Sequence, residues 1–311
     1  MAMIYSRYRA LAIVTCIGML LVLIAGALVT NTDSGRGCGT DWPLCNGKFI
    51  PAYTVESLIE YSHRLISGAV GLLVLATFVA TLVWYRKEKE PIVYASGAGL
   101  FTVLQALLGA AAVIWPTSAG VLALHFGISI LAFMFTLLLV LWTGRLKSGK
   151  GLDRPPVVVP KSVYVFSLSI LVYTYFVIYL GAFIRHTDSS GGCIGWPLCN
   201  GEFVPDLQGA TRYVFIHRIA GVVLFILIAW FAVHVKRVCR QHPELRTAAV
   251  AAFVLVCCQV LSGALLTETL RNEDWYIFTS ILHNMIVSAL FGLMSDLMIR
   301  AWKWRERQVK A

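Results

Sequence analysis

Eight long apolar runs dominate this chain, at roughly residues 9–30, 58–84, 92–114, 119–144, 162–184, 212–235, 247–268 and 275–301. About 20 apolar residues cross the hydrocarbon core of a bilayer as a helix, and each run reaches that length. Lipid offers the backbone no hydrogen-bond partner, so a spanning segment must satisfy its own N–H and C=O groups, as a helix does. The expected fold is an all-α integral membrane protein of eight transmembrane helices. Composition agrees, since 58 % of the residues are hydrophobic and 14 % charged, against about half and about a quarter in soluble domains.

The first run follows Arg7 and Arg9 and ends near Ala25-Gly26-Ala27, an arrangement that imitates a secretory signal peptide. Its apolar stretch is longer than the usual ~7–15 residues. Moreover "GALVTNTDS" (Gly26 to Ser34) is echoed by "GAFIRHTDS" (Gly181 to Ser189) at the end of the fifth run. The first run therefore reads as a retained helix of the same kind.

A net charge of +10 raises the question of a nucleic-acid partner. The placement of the charge gives a simpler answer. Arg7, Arg86, Lys87, Arg145, Lys147, Lys150, Arg154, Lys236, Arg237, Arg240, Arg305, Arg307 and Lys310 fall on the side that holds both termini, and few basic residues fall on the other. The positive-inside rule then puts both termini in the cytoplasm and the cysteine-bearing loops outside, in a multi-pass protein of the cell membrane. Membrane lipid is the expected surrounding partner, and no nucleic-acid footprint is seen.

Those outer loops carry "GCGTDWPLCNG" (Gly37 to Gly47) and "GCIGWPLCNG" (Gly192 to Gly201). Placing Cys45 on Cys199 also places Trp42 on Trp196, His63-Arg64 on His217-Arg218, Gln105 on Gln259 and Gly109 on Gly263. The chain is thus a duplicated four-helix unit. An even number of spans returns the second copy to the same orientation, giving two parallel-repeat four-helix bundles. The expected boundaries are 1–146 for the N-terminal half, 147–160 for a basic, proline-containing cytoplasmic linker, and 161–311 for the C-terminal half. An oxidising outer compartment favours disulfides, and Cys38 with Cys45, and Cys193 with Cys199, are close enough to close small loops. Each bridge either staples its loop or takes a redox or substrate-delivery role. Cys16, Cys239, Cys257 and Cys258 read as packing residues.

An ionisable side chain inside a span is costly and is by default a functional candidate. His63, His125, His217 and His283 sit on helices 2, 4, 6 and 8, each within about two turns of the outer end. Even-numbered helices run in one direction, so these imidazoles share a level. Two facing imidazoles with no thiolate or carboxylate cluster suit the axial positions of a haem iron, whereas a tetrahedral zinc site takes four such ligands. A lone membrane histidine is more often a helix–helix hydrogen bond; four in a duplicated pattern favour ligation. His186, His234 and His242 carry no assigned chemistry. Arg64 and Arg218 would reach haem propionates, with ordinary snorkelling to the interface as the alternative.

The halves differ at one telling position. Glu60 lies three residues before His63 on the same helical face, and its counterpart is Val214. A carboxylate at an apolar level needs a hydrogen bond, a proton or a chemical task, unless it is simply exposed at the interface. Glu-x-x-His also occurs in di-iron carboxylate bundles, but those need two such motifs and further glutamates. One half therefore reads as reactive and the other as purely ligating.

With these residues in view, the chain resembles the haem A synthase family, in the form with a cysteine pair in each of two long outer loops. The likeness rests on eight spans, "EYSHR" (Glu60 to Arg64), "HRIAG" (His217 to Gly221), His125, His283 and the repeated tryptophan-proline-leucine-cysteine turn. The resemblance implies oxidation of the C8 methyl of haem O to the formyl group of haem A, through a hydroxymethyl and then a hydrated aldehyde. It further implies haem b on His217 and His283, haem O as substrate between His63 and His125, and Glu60 as the catalytic acidic residue. It gives Cys38 and Cys45 a part in haem handling or electron transfer, and Cys193 and Cys199 a structural one. Expected partners are the enzyme that makes haem O and an unidentified electron acceptor or donor. The rival readings are a di-haem membrane electron-transfer protein that oxidises quinol, and a haem carrier.

Overall fold

The structure is a computed structural model that describes residues 2–49, 53–115, 117–147 and 158–305. Most of the expected linker, with Lys150 and Arg154, lies outside the described residues, as do Arg307 and Lys310. Among the described residues eight long helices appear: α1 (Ala2–Asn31), α2 (Val55–Trp84), α3 (Lys89–Ile114), α4 (Ala119–Lys147), α5 (Lys161–His186), α6 (Gly209–Val238), α7 (Pro243–Glu268) and α8 (Glu273–Trp304). All eight are long and apolar enough to cross a membrane, so the chain is a multi-pass, all-α membrane protein.

Each helix contains one of the apolar runs and outlasts it. Hydropathy marks the lipid-embedded part, whereas capping groups set the ends. Thr54 caps α2 by accepting the Ser57 N–H at 3.3 Å, Asn272 caps α8 by accepting the Trp275 N–H at 3.1 Å, and Pro243 opens α7. At 1.5 Å per residue the helices run to about 39–48 Å, longer than the ~30 Å hydrocarbon core, so their ends reach the headgroup layer.

The fold divides into two compact units, Met1–Gly144 and Arg145–Ala311. In lipid, helices associate through close packing and interhelical hydrogen bonds rather than by escaping water. The first unit shows both devices. Thr15 and Thr77 meet hydroxyl to hydroxyl at 2.8 Å, and Tyr8 and Thr81 at 2.7 Å, tying α1 to α2. Gly97 on α3 lies so close to the Phe135 ring of α4 that a Cβ there would come within 2.6 Å of it.

The second unit has a core in which Ile170, Ile228, Leu245, Leu290, Met294 and Leu297 are fully buried. Near its end, Asp296 is 2 % exposed and is paired with Arg145 at 2.8 Å and Arg300 at 2.6 Å. Large apolar side chains such as Leu72, Val103, Val172 and Trp230 point outward, as lipid-facing positions require.

Candidate functional site

The two long loops fold alike, and the reason is local. In each, an Asn-Gly pair (Asn46-Gly47, Asn200-Gly201) takes positive φ at both residues. That is the geometry of the two-residue hairpin turn for which Asn-Gly is the favoured sequence. Cys45 and Lys48, and likewise Cys199 and Glu202, exchange backbone hydrogen bonds across it. The bridges Cys38–Cys45 and Cys193–Cys199 are both formed. Trp42-Pro43 and Trp196-Pro197 are both cis.

Each loop is then laid directly on a helix start. A Cβ on Gly37 would come within 2.4 Å of the Glu56 backbone, and one on Gly192 within 2.5 Å of the Ala210 backbone, so only glycine fits. Ser57 donates to the Gly37 carbonyl at 2.5 Å, and Thr211 to the Gly192 carbonyl at 2.9 Å.

The arginines beside the first pair of repeated histidines fasten the loops from below. Arg64 donates to the carbonyls of Asp41 and Leu44, both at 2.7 Å. Arg218 donates to the carbonyls of Leu198 at 3.0 Å and Cys193 at 3.1 Å. Sequence reasoning had these side chains either on propionates or at the interface, and did not foresee the loop carbonyls. The repeat of His-Arg at one spacing from the cysteines was the available signal.

Glu60 is buried at 3 % exposure, and simple exposure at the interface is therefore not its state. One carboxylate oxygen accepts the Cys38 backbone N–H at 2.8 Å, and the other pairs with Arg64. Each oxygen retains a further lone pair. In the second unit Val214 occupies this place, packed with Ile184, Cys193 and Cys199 in an apolar cluster. The loop of one unit thus rests on a carboxylate and that of the other on a hydrocarbon side chain.

The four histidines are seated by glycines. An added Cβ would stand 3.3 Å from His63 at Gly26, 3.3 Å from His125 at Gly109, 3.0 Å from His217 at Gly181 and 3.2 Å from His283 at Gly263. In every case the contact is to the ring Cε1. Each imidazole therefore lies with its Cε1 edge close against a glycine of the preceding helix, where an added methyl would press on the ring. The sequence repeats these glycines, yet nothing in a linear reading ties them to the histidines.

His63 lies within electrostatic range of His125, and His283 within range of His217, so the structure brings the four together as two couples, one per unit. Counted from the helix starts the four stand about 9–15 Å deep, with His283 deepest at nearly three turns rather than two. The Nδ1 atoms of His63, His125 and His217 are buried without a hydrogen-bond partner in the protein. His283 differs. Its Nδ1 meets Ser262 at 2.8 Å and its Nε2 meets the Gln259 amide nitrogen at 2.9 Å. Among the described residues no three His, Cys, Asp or Glu side chains converge as a metal-ion cage would require. Paired imidazoles bedded on glycines, three of them with a buried Nδ1 that has no partner in the protein, are a donor set that fits haem iron.

Fold and site together define a polytopic α-helical membrane protein with a histidine couple in each of two similar units. By sequence this chain belongs to the cytochrome oxidase assembly protein family, whose profile matches residues 9–295. Among its relatives is a protein of Geobacillus kaustophilus named "Heme A synthase", 39 % identical over 298 residues, 96 % of this chain and 92 % of the relative. One of the same name from Bacillus licheniformis is 37 % identical over 309 residues, covering 97 % and 98 % of the two chains. Another, from Exiguobacterium sibiricum, is 37 % identical over 290 residues, covering 93 % of each.

Proposed function

We propose that this chain is a haem A synthase, an oxidoreductase that converts the C8 methyl of haem O into the formyl group of haem A. The family membership and the full-length relatives support the activity. The observation that carries the division of labour is the presence of a buried, loop-bonded carboxylate in one unit only, Glu60 against Val214.

On this reading His217 and His283 hold a resident haem b, and His63 and His125 receive haem O. The resident haem supplies one-electron redox chemistry when bound, while the protein sets position and electronics. Glu60 accepts protons from the carbon being oxidised, or stabilises positive charge as it develops there. Arg64 and the Cys38 amide hold the carboxylate in place for that task. With water as the oxygen source, methyl plus water gives formyl plus four protons and four electrons, so an electron acceptor is required as partner, and direct handover of haem O from the enzyme that makes it is the economical supply route. Both termini lie on the cytoplasmic side and the disulfide loops on the outer side, following the distribution of basic residues.

Purification from a host supplied with haem O, followed by extraction and separation of haem types, tests the reading. His217→Ala should lose the resident haem b, and His63→Ala should chiefly lose conversion. The reverse outcome would exchange the two pockets, and undiminished haem A from both would refute the assignment of either couple.

A further inference from the structure

One face of α7 presents three residues to one ring. Gln259, Ser262 and Gly263 are three and four residues apart, which stacks them along a single side of the helix. Gln259 reaches His283 Nε2 at 2.9 Å, Ser262 reaches Nδ1 at 2.8 Å, and Gly263 leaves room for Cε1 between them. A second contact of Ser262 fixes the direction of these bonds. Its hydroxyl donates to the Gln259 carbonyl at 2.9 Å. A serine hydroxyl has a single proton. Since that proton is spent on the carbonyl, the oxygen is an acceptor toward the ring, and the donor is the His283 Nδ1–H. Nε2 is then the bare nitrogen, its lone pair held by an N–H of the Gln259 side-chain amide.

The first unit lacks this arrangement. At the offset that sets Gln105 on Gln259 and Gly109 on Gly263, Ser262 falls on Leu108, which has no polar atom. Gln105 turns instead to the Met19 sulfur at 3.9 Å, and His125 Nδ1 is buried with no partner. Of the four seated histidines, His283 is the one whose ring is held through both nitrogens by side chains of its neighbouring helix.

We infer that Ser262 is a positioning residue that fixes the tautomer and rotation of His283, so that the second unit binds its haem permanently while the first, with Leu108, keeps an exchangeable site. The inference rests on the reading that His283 ligates a resident haem. The physical basis is general. A ligating imidazole that donates its other N–H is oriented for binding and made a stronger base, and loss of such a partner typically costs about 10- to 100-fold in metal affinity. A stronger base also favours the ferric state, so removing the bond raises the haem potential. Without iron the Nε2 lone pair is held by the Gln259 amide at 2.9 Å, and a bound haem would take the place of that contact.

The test uses the full-length protein in detergent, with resident haem counted per polypeptide, its retention followed during dilution with apomyoglobin as haem acceptor, and its midpoint potential measured by spectroelectrochemistry. Ser262→Ala should lose haem to the acceptor about 10- to 100-fold more readily than wild type, and the haem that remains should have a higher potential. Ser262→Thr, which restores the hydroxyl, should return both properties toward wild type. Wild-type retention and potential in Ser262→Ala would overturn the inference, provided His283→Ala loses the haem. If His283→Ala keeps its haem, the underlying ligand assignment fails instead. A change in retention without any change in potential would also overturn it, since a merely structural serine would produce that pattern.

Discussion

The backbone N–H of Cys38 donates to the buried carboxylate of Glu60 at 2.8 Å, so a disulfide cysteine and the proposed catalytic acid share one hydrogen bond. The bridge to Cys45 fixes the loop, the loop fixes the amide, and the amide orients the carboxylate. Val214 offers the second loop nothing comparable.

Unequal consequences are therefore expected from breaking the two bridges. Closing a loop of this length stabilises a folded chain by about 2 kcal/mol in the chain-entropy account, and both bridges should supply that. Cys38→Ala should additionally depress haem A output, because Glu60 loses a fixed partner, whereas Cys193→Ala should act mainly on thermal stability. Equal and full haem A output from both variants would remove any catalytic part for the first bridge.

Glu60→Ala should abolish haem A formation while leaving haem b in the second unit at its wild-type amount. Extracted haem types, measured beside the visible spectrum of the purified protein, separate these effects. An unchanged yield of haem A would show that the carboxylate only supports its loop.

The glycine seats make a steric prediction with a built-in control. Gly181→Ala places a methyl 3.0 Å from His217 Cε1, so the ring must move and haem b occupancy should fall. Gly221 on the adjacent helix has nothing within 4 Å of an added Cβ. Gly221→Ala should leave occupancy unchanged and stabilise the helix by about 0.5–1 kcal/mol. Parallel haem titrations and melting curves read both.

Asp296 is buried between Arg145 and Arg300. Replacing it with Ala removes the buried carboxylate that both arginines share, and breaking a buried ion pair from one side costs about 3–5 kcal/mol. A large fall in the detergent melting temperature is expected, and a Tm within a degree of wild type would contradict it. Tyr8→Phe removes only a neutral interhelical hydrogen bond to Thr81. Such bonds average about 0.6 kcal/mol in membranes, so its effect should be several-fold smaller.

Hydropathy alone determined the eight spans of this chain, because the cost of unpaired backbone in lipid is paid residue by residue and leaves its mark in linear order. Duplication was legible too: the offset joining Cys45 to Cys199 also joins His63 to His217 and Gln105 to Gln259, and it isolates Glu60 as the odd residue. Which side chains meet was decided only by tertiary structure, since a contact between helices depends on rotation and depth, and neither is written in a hydropathy profile. For Arg64 the sequence offers haem propionates or snorkelling to the interface, and only the fold shows that it donates to two loop carbonyls. Gly26, Gly109, Gly181 and Gly263 were plain repeats until an imidazole edge was found against each. Ser262 carried no signal at all, because a serine on an apolar helix becomes legible only when the ring it faces is known.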